Sequence, residues 1–164
     1  MWDRLRRELE LELAELSDLL TTAAELPTAD RSARPTRVEV MAAGAVLHSF
    51  YNGAENLLKR IHVATEGSPP TGERWHTNLL DRAAHDTAHR PRVLTDALIA
   101  RLDAYLRFRH AFRHLYAQHL EWGRMVDLLR DLPSVVEALR AEVSDFLSRL
   151  EGWSTPARGS APAR

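Results

Sequence analysis

Between Arg107 and Tyr116 the chain reads R-F-R-H-A-F-R-H-L-Y, three arginines and two histidines in ten residues. Arginine offers a forked, permanently charged set of donors for an anion, and histidine exchanges a proton near neutral pH. The run lies within a segment, Val93 to Leu120, whose Leu98, Leu102, Tyr105, Phe112, Tyr116 and His119 recur at steps of three, four or seven, as in a helix. Arg109 fills the missing step. An apolar stripe therefore carries a guanidinium in its middle, where an unpaired charge would cost several kcal/mol. An acidic partner, a water-filled groove or an anionic ligand must meet it.

At about 100° per residue, Arg109 and Tyr116 fall on one face, about 20° apart, while His110 and His114 share another. His114 then lies about 140° round the helix from Arg109. The two can share a site if the helix kinks or starts anew near Arg109, if the long arginine sweeps round, or if two copies meet at a dimer axis. His110 and His114 at i and i+4 could also hold a metal, although no Glu-x-x-His or other carboxylate pattern accompanies them.

The elements that must position these residues are helical. Trp2 to Glu25 sets Leu5, Leu9, Leu13, Leu16 and Leu20 at helical steps and lacks the β-branched content of a strand until its end. Leu26 to Thr36, with two prolines, reads as a loop. A long central helix is expected from Arg37 to Glu66, apolar through Val40, Ala43, Val46, Leu47, Phe50, Leu57, Leu58 and Ile61 and stopped by G-S-P-P-T-G. On it Tyr51 and Glu55 sit four apart. Tyr51 reads as a core-edge tyrosine and Glu55 as a solvated glutamate, with the alternative that Glu55 partners a buried arginine.

A shorter helix, Trp75 to Ala88, should stop before Arg90-Pro91, placing His85 and His89 at i and i+4 as two exposed histidines near its C-terminus or, alternatively, as a metal pair. Thr95 is a potential start for the Arg109 helix, which should end near Glu121 to Gly123. Met125 to Leu132, a break at Pro133, a last helix from Ser134 to Leu150 and a disordered Pro/Gly/Ala/Ser tail at 153–164 complete the reading. No strand pattern, Gly-rich phosphate loop or internal repeat occurs. The expected fold is all-α, an up-and-down bundle of four to five helices in one domain over residues 1–152.

Composition narrows the chemistry. With no cysteine, disulfides, thiolate zinc sites and cysteine nucleophiles are excluded. A net charge of −1 argues against a generally basic nucleic-acid binder. Locally the balance differs: Arg101, Arg107, Arg109, Arg113 and Arg124 face only Asp103 and Glu121, a net of +3. No apolar run approaches the roughly 20 residues of a membrane helix, and M-W-D-R-L-R-R-E lacks a signal-peptide h-region. A cytoplasmic protein is expected.

Arg109, four residues, His114, one residue and Tyr116 resemble the R-x4-H-x-Y motif of HEPN-domain ribonuclease toxins of the HepT type. S-F-Y-N-G-A-E-N-L-L-K-R-I from Ser49 to Ile61 and Y-L-R-F-R-H-A-F-R-H-L-Y from Tyr105 to Tyr116 are also similar to HepT-like proteins, the likeness running from about Arg37 to Leu150. His110 stands where many HEPN proteins carry an asparagine.

The resemblance implies a helical bundle that pairs as a homodimer, with the motifs of both subunits lining one cleft. It implies cleavage of RNA, with tRNA a candidate substrate, without metal or other cofactor. The substrate's own 2′-OH would be the nucleophile, His114 would move protons, and Arg109 would hold the phosphate. Arg107, His110 and Arg113 are expected at the RNA backbone. The implied partner is a small nucleotidyltransferase antitoxin of the MNT type, MntA-like, which adds AMP to Tyr116 and silences the toxin. Two alternatives stand beside this: a non-catalytic bundle that only complexes a nucleotidyltransferase, and a metal-binding bundle.

Overall fold

A computed structural model describes residues 2–26, 34–68, 71–114 and 120–153, which hold five α-helices and no strand. They are α1 (Asp3–Ala24), α2 (Arg37–Glu66), α3 (Trp75–Ala83), α4 (Asp96–Phe112) and α5 (Trp122–Glu151). The all-α bundle agrees with the expectation. Tyr116 and His119, most of the loop expected at Leu26–Thr36, and the tail from Ser154 onward lie outside the described residues. Trp153, assigned to that tail, is half-buried, and its N–H donates to the Leu150 carbonyl at 3.3 Å.

α2 is the axis of the molecule and packs against all four other helices. Its start is fixed by a capping box: the Glu39 N–H donates to Thr36 Oγ1 at 3.2 Å, and Thr36 N–H donates to Glu39 Oε2 at 2.6 Å. Its end is fixed by Gly67, whose φ of 85° is the left-handed cap that glycine adopts without steric cost. Between them Ala43, Leu47, Phe50, Leu57 and Ile61 are fully enclosed. α1 lays Leu5, Leu9, Leu13 and Leu16 onto this surface, and its Leu16 occupies space that a Cβ at Gly53 would need, 2.7 Å away.

The start of α4 is set as its sequence suggests. Thr95 Oγ1 accepts the Leu98 N–H at 3.3 Å and donates to Glu142 Oε1 on α5 at 2.8 Å, while Glu142 Oε2 accepts the Thr95 N–H at 2.7 Å. One carboxylate thus ties the α4 cap to α5.

Three boundaries differ from expectation. α5 runs unbroken through Pro133, against the expected break there. A proline removes one helical hydrogen bond and crowds the preceding turn, costing about 3 kcal/mol in a helix interior. Here Leu129, Leu132, Val135 and Val136 are buried on both sides of it, and the Leu128 carbonyl one turn earlier accepts the Tyr105 hydroxyl at 2.8 Å. Packing outweighs the local penalty. α3 ends at Ala83 rather than Ala88, because the chain turns back so that the Val93 and Leu94 N–H groups both reach the Ala83 carbonyl, at 2.8 and 3.0 Å. His85 and His89 therefore do not share a helical face; both are exposed. α4 stops at Phe112 and gives way to a turn at Arg113 and His114.

Candidate functional site

Arg109 is 9% exposed and lies on the buried side of α4, as its place in the apolar stripe requires. Its charge is met by α2 and α3. Nε donates to Asn52 Oδ1 at 2.7 Å, and Nη1 lies 3.6 Å from Glu55 Oε2 and 3.3 Å from His76 Nδ1. The Tyr51 ring backs the guanidinium at 5.8 Å. Nη2 makes no hydrogen bond among the described residues.

Glu55 is the anionic centre of the group. It is 3% exposed, so the solvated reading of this residue is corrected, as its partnership with the buried arginine displaces it from solvent. Besides Arg109 it takes the Lys59 ammonium at 3.2 Å and a very close contact from His76 Nδ1. One carboxylate stands between two permanent cations, an excess of one positive charge. Tyr51 is likewise buried at 2% rather than at a core edge, and burial first, then the nearby Glu55 charge, pushes its phenol well above the usual range.

The rim carries imidazoles. His48 accepts the Asn52 amide N–H at its Nε2 (3.0 Å) and packs on Phe112, with ring centroids 5.2 Å apart. His76 stacks on Trp75 at 3.6 Å and meets His110 edge-on at 5.8 Å. Partial burial, then the Arg109 and Arg113 charges, hold His48 below its ordinary 6.5. His110 is lowered by desolvation first, then by His76, Arg109 and Arg113.

α4 can end against α2 because Gly44 leaves room. A Cβ there would stand 2.7 Å from Phe112 Cε2 and 3.1 Å from Leu120 Cδ1. The absence of that methyl lets the Phe112 ring lie on α2, one turn beyond Arg109.

The residues expected from sequence divide into groups. Arg109 sits at the centre and His110 at its edge. His114 is exposed in the turn after α4, its N–H on the Ala111 carbonyl at 3.1 Å, and its ring makes no contact with the cluster among the described residues. Because α4 ends at Phe112, the 140° separation of Arg109 from His114 on an unbroken helix does not apply; the expected 20° relation of Arg109 to Tyr116 falls on a residue outside the described ones. Arg107 is exposed and bound through Nε to Asp103 at 2.7 Å. Arg101 pairs with Asp131 at 2.7 Å and Arg124 with Glu121 at 2.8 Å, so much of the counted basic excess is answered locally. Arg113 is exposed and has no ion-pair partner among the described residues.

Asn52, His48, Lys59 and His76 were not anticipated. For α2 a signal exists: His48, Asn52, Glu55 and Lys59 advance by four, three and four residues, which holds them within about 60° on an otherwise apolar helix. His76 has no comparable signal.

Among the described residues no three His, Asp or Glu side chains are grouped so that they could hold a metal ion, and no helix is long and apolar enough to cross a membrane. No curated protein matches the chain, and no solved structure does. Residues 42–150, which contain the polar face of α2, all of α3 and the Arg109–His114 segment, match the family described as HepT-like protein, and the chain belongs to that family of HEPN-type helical bundles.

Proposed function

We propose that this protein is the toxin of a HEPN/MNT-type toxin–antitoxin pair, an endoribonuclease that cleaves RNA without a metal. The observation that carries the reading is the buried Arg109 fork. It is oriented by Asn52 and Glu55 before any substrate arrives, stands in a cluster with one excess positive charge, and is bordered by imidazoles. A preformed cation of this kind suits a phosphate that gains charge on the way to a pentacoordinate intermediate. Arg109 grips the phosphate, and His114 serves as the acid–base residue. His110 and Arg113 lie beside the same helix end and contact the RNA backbone. Arg107 joins them by exchanging Asp103 for phosphate.

The active unit is a homodimer. On α2, Val38 is 74% exposed and Met41 48% exposed, with exposed Ala45 continuing the same face toward His48 and Asn52. An apolar strip that leads into a polar cluster fits a second copy seated beside the site, which would bring another His114 to the cleft. The proposed regulator is a cytoplasmic nucleotidyltransferase that transfers AMP to Tyr116.

Cleavage of bulk tRNA by the purified protein, with excess EDTA present, is the test. Cleavage should survive chelation and weaken steeply with salt, because arginine–phosphate contacts release counterions. Arg109→Ala and His114→Ala should each abolish it. Full inhibition by EDTA with recovery on adding zinc or manganese would favour a metal site, and cleavage unaffected in both variants would remove the site assignment.

A further inference from the structure

Cleavage of RNA by its own 2′-OH requires two proton transfers at opposite ends of the reacting phosphate. The 2′-oxygen enters on one side of phosphorus while the 5′-oxygen leaves on the other, so a single imidazole does not face both in one step. The cluster holds a second imidazole that is built like a catalytic base.

His76 is only 13% exposed at its side chain and is fixed on three sides: by the Trp75 ring, by the His110 edge, and by Glu55. Nδ1 of His76 is in hydrogen-bond contact with Glu55 Oε2, and a carboxylate flanked by Arg109 and Lys59 can only accept, which assigns Nδ1–H as the donor. Arg109 Nη1 stands 3.3 Å from that same nitrogen and 3.6 Å from Glu55 Oε2, so with Nδ1 protonated it acts on the carboxylate as a charge and not as a donor to the ring. With Nδ1 donating to the carboxylate, Nε2 is the ring nitrogen left to accept a proton. This is the arrangement in which a buried carboxylate sets an imidazole's tautomer and steadies the imidazolium that forms.

Resting on the ribonuclease reading, we propose that His76 is the general base of the reaction and His114 the general acid. Nε2 of His76 takes the proton of the 2′-OH as the 2′-oxygen forms its bond to phosphorus. Arg109 holds the non-bridging oxygens, the P–O5′ bond breaks, and the His114 imidazolium gives its proton to the departing 5′-oxygen. The products are a 2′,3′-cyclic phosphate and a 5′-hydroxyl. His76 leaves the step protonated and His114 neutral, and exchange with water resets both.

The test is single-turnover cleavage of a short RNA and of the same RNA with sulfur in place of the bridging 5′-oxygen, a leaving group that needs no proton. His76→Asn keeps a side-chain N–H for Glu55 and has no basic nitrogen; it should lose about 10²- to 10⁴-fold on both substrates. His114→Ala should lose as much on the oxygen substrate and regain most of its rate on the sulfur one. Substituted imidazoles added to His76→Ala should restore cleavage in order of their basicity, an effect that a merely structural role would not produce. If His76→Ala does not fold, His76→Asn still decides the matter through the two substrates. Near-wild-type cleavage by His76→Asn, recovery of that variant on the sulfur substrate, or rescue indifferent to basicity would overturn the assignment while leaving the ribonuclease reading standing. A wild-type protein that cleaves neither substrate would overturn both.

Discussion

Replacing Glu55 by glutamine should destabilise the fold by about 3 kcal/mol, at the low end of what breaking a buried ion pair costs. The side chain is 3% exposed, with Arg109 Nη1 at 3.6 Å and Lys59 Nζ at 3.2 Å. A unit charge pair at such distances is worth about 4–5 kcal/mol at an effective dielectric of about 20, before desolvation is charged against it. Glutamine removes the charge, keeps an oxygen acceptor for one neighbour and avoids the cost of burying a carboxylate. Lys59, with 32% of its side chain exposed, is partly served by water, so the loss falls mainly on Arg109, which retains Asn52. For a chain of this size about 3 kcal/mol corresponds to a Tm lower by about 6–12 °C. Thermal and urea unfolding followed by circular dichroism measure it. In a cycle with Arg109→Met, the double variant should recover about 2 kcal/mol relative to the sum of the singles. A Glu55→Gln protein within about 0.5 kcal/mol of wild type, the range of ordinary surface substitutions, would refute the reasoning, because the carboxylate would then not be neutralising a buried cation.

Other outcomes follow from different parts of the molecule. Gly44→Ala places a methyl 2.7 Å from Phe112 Cε2; overpacking of about 1–3 kcal/mol should outweigh the helix-propensity gain of up to about 1 kcal/mol, whereas Gly123→Ala, with nothing within 4 Å of its new Cβ, should be neutral or stabilising in the same melts. Stability should fall as pH drops from 7 toward 5. His62, 5% exposed, is held below its ordinary 6.5 by burial first and then by the Arg82 and Arg90 charges, and His48 is held down likewise. Between the folded and unfolded pKa values the unfolded chain binds more protons, so protonation below 6.5 favours unfolding, and His62→Gln should flatten the profile measured by denaturant titration. Co-expression with a cognate nucleotidyltransferase should add one AMP to Tyr116, read by intact-mass and peptide mass spectrometry; the same increment on Tyr116→Phe, or none on wild type, would leave steric occlusion as the antitoxin's action.

Helix identity was legible because its determinants are local. The Thr36–Glu39 capping box, the Gly67 cap and Thr95 each stand where the chain enters or leaves a helix. Pro133 misled because its penalty is local and its compensation is not: α5 stays unbroken with α1, α2 and α4 packed against it. The end of α3 misled for the same reason, since the bonds that stop it at Ala83 come from Val93 and Leu94. In the site, the misplaced charge of Arg109 could be read from its position in an apolar stripe, and that position required a partner. Glu55 could be named only as an alternative, because four-residue spacing from Tyr51 fixes a face but not what the face meets. His76 lies 33 residues from Arg109 on another helix, and no periodicity connects the two.

The proposed mechanism separates two tasks that are joined in one short sequence motif. Arg109 is locked between α2 and α3, so its position is part of the core, and variants there should alter folding stability along with cleavage. His114 is exposed, and it and Arg113, the described residues of the turn after α4, carry no share of the core. Under the proposed mechanism its placement against a substrate comes from what assembles around the end of α4. The exposed strip of Val38, Met41 and Ala45 beside that end offers a second copy as the assembling agent. A rigid phosphate clamp paired with an acid positioned by assembly would make cleavage depend on protein concentration while the fold of each subunit does not. Dilution should then diminish cleavage per molecule in step with loss of dimer by light scattering, and a charged substitution such as Met41→Glu should reproduce that loss with the helical signal intact. Cleavage per molecule that stays constant across dilution to a monomer would place the whole site, His114 included, within one subunit.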